Sequence, residues 1–285
     1  MTQNYPGVHP STIIEKGAKI GKNVQIGPFC WIGPNVILED DVSIKSHVCI
    51  DGYTTVGQGT TIWPQAVIGT KTQDLKFRGE KTVVIIGKNC EIRECVTINS
   101  SCGENTSVEV GDKCLIMASC HIAHNCILGN RVIMANGALL AGHVTVEDCA
   151  VIGGMSAVHQ FSRIGCYAMI GGMSRVTHDV LPYSLVAGSP CRVGGLNLVG
   201  LKRHGFGLDV RKELTKAFRL IYRSGLSFQQ ALHEIQETVE PIAEIRHMLK
   251  FCTQTKRGLL DMRGSIASTA IEQSKSEQTE ELVIG

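Results

Sequence analysis

The segment LIMASCHIAHNCILGNRVIMANGALLAGHV, residues 115–144, carries an aliphatic residue at every sixth position: Ile116, Ile122, Leu128, Met134 and Leu140. The same period begins at Ile14 and runs through Ile20, Ile26, Ile32, Leu38, Ile44, Ile50, Val56 and Ile62 to Ile68, often with glycine directly after the aliphatic. It lapses over residues 70–83, returns at Ile86, Ile92 and Ile98, and lapses again over 100–108. From Val110 it continues without interruption to Val176. A hexapeptide period is the mark of a parallel β-helix, a prism whose coils stack so that one aliphatic from each short strand points inward. Three hexads make one coil of about eighteen residues, and neighbouring coils lie about 4.8 Å apart. The two lapses then read as loops thrown out from the prism, and loops on a rigid scaffold are where binding residues tend to lie.

Period-two alternation within each strand implies that the residue two before each aliphatic also faces inward and is small. Cys30, Cys90, Cys114, Cys120 and Cys126 stand there, beside Ala118 and Ala138. Equal spacing carries Cys114, Cys120 and Cys126 to successive faces rather than to one point, so they read as small buried hydrophobes and not as zinc ligands.

The composition agrees with this architecture. Of 285 residues, 19% are charged and only 5% aromatic, with 31 glycines and a net charge of +2. That is too apolar for disorder and too poor in aromatics for an ordinary globular core. The charge gives no general reason to expect nucleic acid as a partner. No apolar run reaches the ~18 residues of a membrane span, and the opening MTQNYPGVHPSTIIEKG lacks the pattern of an export signal. The 12 cysteines are therefore expected to be reduced thiols in the cytoplasm.

The repeat ends near Pro182, and from Leu208 the apolar spacing becomes helical, as in Leu214, Phe218, Ile221 and Tyr222, with Gly225 as a stop. The expected organisation is a β-helix over 1–190, a small α-helical C-terminal domain over 191–263, and a flexible polar tail over 264–285.

On an eighteen-residue coil, His121, His124, His143 and His159 gather along one ridge of the prism. Most of them miss the inward positions, which disfavours a core role. Two readings remain open from spacing alone: a zinc site built from neighbouring coils, or a general base with helpers that position substrate.

Several stretches resemble the acyl-(acyl-carrier-protein)–UDP-N-acetylglucosamine O-acyltransferases, which perform the first step of lipid A synthesis. They are HIAHNC at 121–126, LAGHVTVEDCAVIGGMSAVHQF at 140–161, TQDLK at 72–76, IRECVTIN at 92–99 and LKRHGF at 201–206. The resemblance runs from about His9 to Gly258 and implies a left-handed prism, assembled as a homotrimer with active sites between subunits. It implies attack by the 3-hydroxyl of UDP-N-acetylglucosamine on an acyl thioester borne by acyl carrier protein, with no cofactor, no metal and no covalent acyl-enzyme. His124 is then the base, and Gly142 offers a backbone N–H to the oxyanion. Gln73, Asp74 and Lys76 in the first loop match residues that hold the sugar and acyl parts. His121, His143, His159 and Gln160 match positions lining the cleft, and Asn197 and Arg203 match contacts to the nucleotide and its phosphates. Gly172 matches the far end of the acyl groove, where the missing side chain leaves room for roughly fourteen carbons, a chain that could carry a 3-hydroxyl.

Three positions depart from the family pattern: Asn125 replaces an Asp beside the base, Asn99 a His in the sugar pocket, and Val199 a Glu near the uridine. The first leaves the tuning of His124 open, and the second leaves room for a 3-amino sugar. Lys202, Arg203, Arg211, Lys212, Lys216, Arg219 and Arg223 cluster at the start of the helical region, either as a solvated face or as a docking patch for the acidic carrier protein. The competing readings are a zinc-dependent γ-type carbonic-anhydrase-like prism, another hexapeptide sugar acyltransferase, and a non-catalytic scaffold. His121-x-x-His124 fits the first poorly. The TQDLK loop and helical C-terminus argue against the second, and the histidine ridge has no purpose in the third.

Overall fold

The computed structural model describes residues 6–262, so the tail expected over 264–285 lies outside the described residues. From Ile13 onward the chain forms strands mostly two residues long, separated by four-residue corners. Every third strand pairs in parallel, which generates three sheets of nine, eight and ten strands among the described residues. The coil is a left-handed parallel β-helix, against the right-handed rule for parallel crossovers. The sheet containing Ile13–Ile14 and His121–Ile122 is here called B, that containing Ile127–Leu128 C, and that containing Ile133–Met134 A.

Register confirms the coil length. Ile116 pairs with Met134 and Met134 with Ile152, eighteen apart each time. Across the two lapses the step grows: Ile62 pairs with Ile92 and Ile92 with Ile116, thirty and twenty-four residues on. The excess is the chain thrown out as loops between the strands Val67–Thr70 and Val83–Ile86, and between Thr97–Asn99 and Ser107–Val110. The prism thereby keeps its stack while extruding both loops from the edge between sheets B and C.

The inward aliphatics are completely buried, Ile32, Ile50, Ile62, Ile92, Ile116 and Ile122 at 0% exposure. Each contributes roughly 1.5–3 kcal/mol by burial. Cys30, Cys90, Cys114, Cys120 and Cys126 are buried as well, but they also make hydrogen bonds. The thiol of Cys114 lies 3.2 Å from the carbonyl of Gly129, that of Cys120 3.1 Å from Ala135, and that of Cys126 3.1 Å from Ala141. Thr12 and Ser156 repeat the bond with hydroxyls, to Gly27 and Gly171. The position thus selects a small side chain that donates to a corner carbonyl of the next coil. Burial pushes the Cys120 thiol up to about 11 and Cys126 up to about 12, so both keep the proton they donate. Ala118 does not belong to this set: it stands four residues before Ile122, in a corner, and is only half-buried. All 12 cysteines are free thiols.

Sheet A ends with Ser184–Ala187, to which Arg192–Leu196 adds as an antiparallel strand. Four helices follow among the described residues: α1 (Leu198–Arg203), α2 (Leu208–Arg223), α3 (Phe228–Thr238) and α4 (Ala243–Thr253). Asn197 caps α1, its side chain accepting from the N–H of Gly200. Gly225, at φ +78°, takes the left-handed turn beyond α2. A capping box of Ser227 and Gln230 starts α3. The helical spacing that continues beyond Gly225 is divided between α3 and α4, the chain leaving the helix at Val239–Ile242, around Pro241, because proline cannot continue a helix. The helices fasten to the prism through Glu147, whose Oε2 lies 2.8 Å from His247 Nε2 on α4. Arg163 lies over the ring of Phe251 at 4.1 Å.

Candidate active site

His124 sits in the corner joining strands His121–Ile122 and Ile127–Leu128, on the edge between sheets B and C. Exact eighteen-residue steps place Gly142 and then Gln160 at the equivalent corner position of the next coils. His143 and Phe161 follow Asn125 in the same way. The N–H of His143 donates to the His124 carbonyl at 3.0 Å, and the N–H of Phe161 to Gly142 at 3.2 Å. The ladder leaves the N–H of Gly142 itself without an acceptor among the described residues. A Cβ at Gly142 would stand 2.3 Å from Cε1 and 2.4 Å from Nε2 of His124. Glycine is therefore what lets the imidazole lie flat against this corner.

The rings form a short stack. His143 meets His124 edge-on at 5.2 Å between centroids, and Phe161 stacks on His143 at 4.6 Å. Burial pushes the imidazoles of His121 and His143 below the usual histidine range, and the neighbouring His124 adds to the effect in both. Nδ1 of His121 is bound at 2.7 Å by the hydroxyl of Thr97 one coil below.

The two loops close over this edge. Thr72 N–H donates to Ser100 Oγ at 3.1 Å, and Ser100 N–H to the Thr70 carbonyl at 2.8 Å, tying one loop to the other. Asp74 uses Oδ1 to accept the N–H of Lys76 at 2.8 Å, an Asx turn that leaves Oδ2 facing His124 Nε2 at 3.5 Å. On the other side of the ring, Nδ1 lies 2.8 Å from Oδ1 of Asn125. Asn125 in turn reaches the second loop, with Nδ2 3.0 Å from the Cys102 carbonyl and Oδ1 3.2 Å from the Cys102 N–H. An open cleft of about 460 Å³ runs from His143 and Phe161 past Arg163 to Gln254 and Lys256.

The edge thus brings together His121, His124, Gly142, His143, Gln160 and Asp74. Gln73 and Lys76 are exposed on the same loop as Asp74. His159 is placed differently from its expected position on the ridge. It lies one residue before Gln160, is exposed, and bonds the Gln160 carbonyl through Nδ1 at 3.0 Å, so the ring above His143 is Phe161. Phe161, Asn125, Thr97 and Cys102 are the site residues that spacing of histidines alone does not reveal. Strict eighteen-residue counting from Asn125 finds Phe161.

Asn197 and Arg203 do not meet His124 within one chain. Asn197 donates to the carbonyl of Tyr167 at 3.0 Å, and His204 and Phe206 pack on the Tyr167 ring, at the corner between sheets C and A. Gly172 occupies the third kind of corner, between A and B, where a Cβ would have only the Gly154 backbone within 4 Å, its carbonyl at 3.3 Å and its nitrogen at 3.9 Å. Asn99 is buried at the end of its strand, whereas Val199 on α1 is exposed. Among the described residues, one group has donor atoms gathered as metal ligands would be: Glu147, Cys166 and His247, all within 4.8 Å of one another. It lies at the C–A corner and not on the histidine ridge. Its atoms are already engaged, Glu147 Oε2 accepting the Cys166 N–H at 2.9 Å as well as pairing with His247.

A hexapeptide-repeat prism with an imidazole held on its edge under two loops defines the class of hexapeptide transferases. The model for bacterial transferase hexapeptides (six repeats) matches residues 11–45 and 107–142, and that for UDP-N-acetylglucosamine O-acyltransferase, domain 2, matches 179–260. The chain is 52% identical over 272 residues to the acyl-(acyl-carrier-protein)–UDP-N-acetylglucosamine O-acyltransferase of Chlamydia abortus, covering 95% of this chain and 97% of that one. It is 48% identical over 272 residues to the enzyme of that name from Chlamydia pneumoniae, covering 95% and 96%. Among solved structures, the UDP-N-acetylglucosamine acyltransferase of Bacteroides fragilis is 38% identical with a TM-score of 0.87, covering 88% of this chain and 99% of that one. That of Arabidopsis is 37% identical with a TM-score of 0.80, covering 89% and 100%. The chain belongs to the acyl-(acyl-carrier-protein)–UDP-N-acetylglucosamine O-acyltransferase family.

Proposed function

We propose that the protein transfers a fatty acyl group from acyl carrier protein to the 3-hydroxyl of UDP-N-acetylglucosamine, the first step of lipid A biosynthesis, with His124 as general base. The observation that carries this is the setting of the His124 ring. Nε2 faces Asp74 at 3.5 Å, and the ring lies on a glycine corner whose N–H has no acceptor among the described residues.

The sugar hydroxyl gives its proton to His124 Nε2 as its oxygen attacks the thioester carbonyl. The tetrahedral oxyanion lies against the N–H of Gly142, a donor that needs no reorganisation to receive it. Asp74 pairs with the imidazolium just formed. Collapse expels the carrier's thiolate, which takes the proton from Nε2, leaving ester and thiol with His124 neutral again. His143, which lines the cleft, is assigned with His121, His159 and Gln160 to positioning substrate along this edge, and Gln73 and Lys76 to contacts from the loop above it.

The three kinds of corner support a homotrimer. His124, Asn197 with Arg203, and Gly172 lie on three different edges of one prism, and a threefold axis along the prism brings edges of neighbouring subunits together. Arg203 then meets the diphosphate bound against a neighbour's His124, and Gly172 closes the far end of an acyl groove sized for roughly fourteen carbons. The basic residues of α1 and α2, most of them exposed, fit an acidic carrier protein. No described helix is long and apolar enough to cross a membrane, and free thiols suit a reducing cytoplasm.

Incubating chelator-treated protein with UDP-N-acetylglucosamine and carrier proteins loaded with graded acyl chains tests the reading. It predicts 3-O-acylated sugar nucleotide, and absence of product with every chain would sink it.

A further inference from the structure

Asn125 is where the sequence lacks the carboxylate expected beside the base, and its surroundings give the amide a single direction. Nδ2 donates to the carbonyl of Cys102 at 3.0 Å, and Oδ1 accepts the N–H of Cys102 at 3.2 Å. A backbone N–H only donates and a backbone carbonyl only accepts. Turning the amide over would therefore place donor against donor and acceptor against acceptor. Asn125 also sits at φ +59°, a left-handed conformation that asparagine tolerates better than most residues.

The oxygen fixed in this way stands 2.8 Å from Nδ1 of His124. It has a second lone pair for that contact and no hydrogen to give, so Nδ1 must be the donor. In a neutral imidazole the other nitrogen is then the bare one. We propose that Asn125, clamped by the backbone of Cys102 in the second loop, is a positioning residue that holds neutral His124 in the Nδ1–H tautomer and so makes Nε2 the base. This rests on the reading of His124 as the base. The direction of the amide is decisive, because in serine proteases an amide that turns its NH₂ to the catalytic imidazole imposes the wrong tautomer and costs about 10⁴ in turnover. Here the second loop prevents that reversal without a carboxylate.

The charged and titratable groups around His124 are Asp74 against Nε2, His143 against the ring edge, and His121 on the adjoining strand, while Lys76 acts on His143. An aspartate at 125 would add a negative charge at Nδ1 and set a carboxylate oxygen against the Cys102 carbonyl. It would favour the protonated ring, which cannot act as base.

The test uses full-length protein labelled with ¹⁵N in its histidine rings, with His124 identified by its loss in His124→Gln. The neutral His124 ring is expected to carry its proton on Nδ1; a proton on Nε2 instead would overturn the proposal at Asn125. In parallel, Asn125→Asp should keep the tautomer and move the acid limb of the kcat/KM profile up by about one pH unit or more. Asn125→Ala should lower kcat at least about tenfold with KM for the sugar nucleotide little changed. An Nδ1–H ring in the wild type with neither variant altering kcat or the pH profile would overturn the proposal at its premise, the role of His124.

Discussion

Gly142 and His124 share a space that only one of them can fill. In Gly142→Ala the new methyl would stand 2.3–2.4 Å from two imidazole atoms, so the ring must leave its place beside Asp74 and Asn125. A displacement of that size costs on the order of 10²-fold in turnover. The fold should survive, because the corner lies outside the aliphatic core of the prism. Steady-state kinetics beside a thermal melt checks this, and wild-type turnover in the variant would count against the ring's placement. At this scale the sequence is legible where position is strict and misleading where it is approximate. His124, Gly142 and Gln160 follow at exact eighteen-residue steps and share a corner. His159 is sixteen beyond His143, and those two missing residues are enough to put it elsewhere on the coil. The bonds that orient His124 come from Cys102, a residue in a loop with no period, and no spacing rule reaches it.

At the scale of single elements, strand and corner were readable because each hexad repeats one pattern of burial. The chemistry of its small inward position was only half readable: size follows from the alternation, but the bond to the next coil's carbonyl appears only once coils are stacked. Cys120→Ser keeps a second donor for the Ala135 carbonyl and should cost less than about 0.5 kcal/mol, whereas Cys120→Ala leaves that carbonyl only the Ala138 N–H, at 3.1 Å, and should cost about 0.5–1.5 kcal/mol. Equal urea midpoints for the two variants would refute the hydrogen-bonding role. The junction with α4 gives a pH dependence. Hydrogen bonds that the ring donates to the Cys166 sulfur and to Glu147 raise His247 from the usual histidine range to about 10. A histidine raised on folding contributes stability that is complete below about pH 6.5 and is lost as pH rises toward 10. The wild type should therefore lose urea resistance between about pH 6.5 and 8.5 relative to His247→Gln. Parallel curves for the two proteins would remove the ion pair from the account. This clamp was not visible in the sequence, because Glu147 and His247 lie a hundred residues apart and no spacing pairs them.

For the molecule as a whole, the prism was fully announced by the period and its two extruded loops by the lapses, since a coil that must keep register has nowhere else to put extra residues. Handedness was not, because a six-residue repeat stacks equally well on paper in either sense; only the family resemblance supplied it. The distribution of candidate residues over three edges makes assembly part of the proposed site. Trimers formed from a mixture of His124→Ala and Arg203→Ala chains should recover roughly a quarter of wild-type activity, since one interface in four would join two intact edges. Mixtures no more active than their parents would place each site within one chain. Gly172 has an ordinary backbone conformation and open space beyond its neighbour, so Gly172→Met should fold, block the groove and shift preference toward shorter acyl donors. An unchanged chain-length profile would dismiss the groove's endpoint.

Base catalysis by His124 is decided by single-turnover transfer with chelator-treated His124→Ala protein. Product formation should be slowed by at least about 10²–10⁴-fold, with substrate binding and oligomeric state unchanged. Turnover near that of the wild type would contradict it.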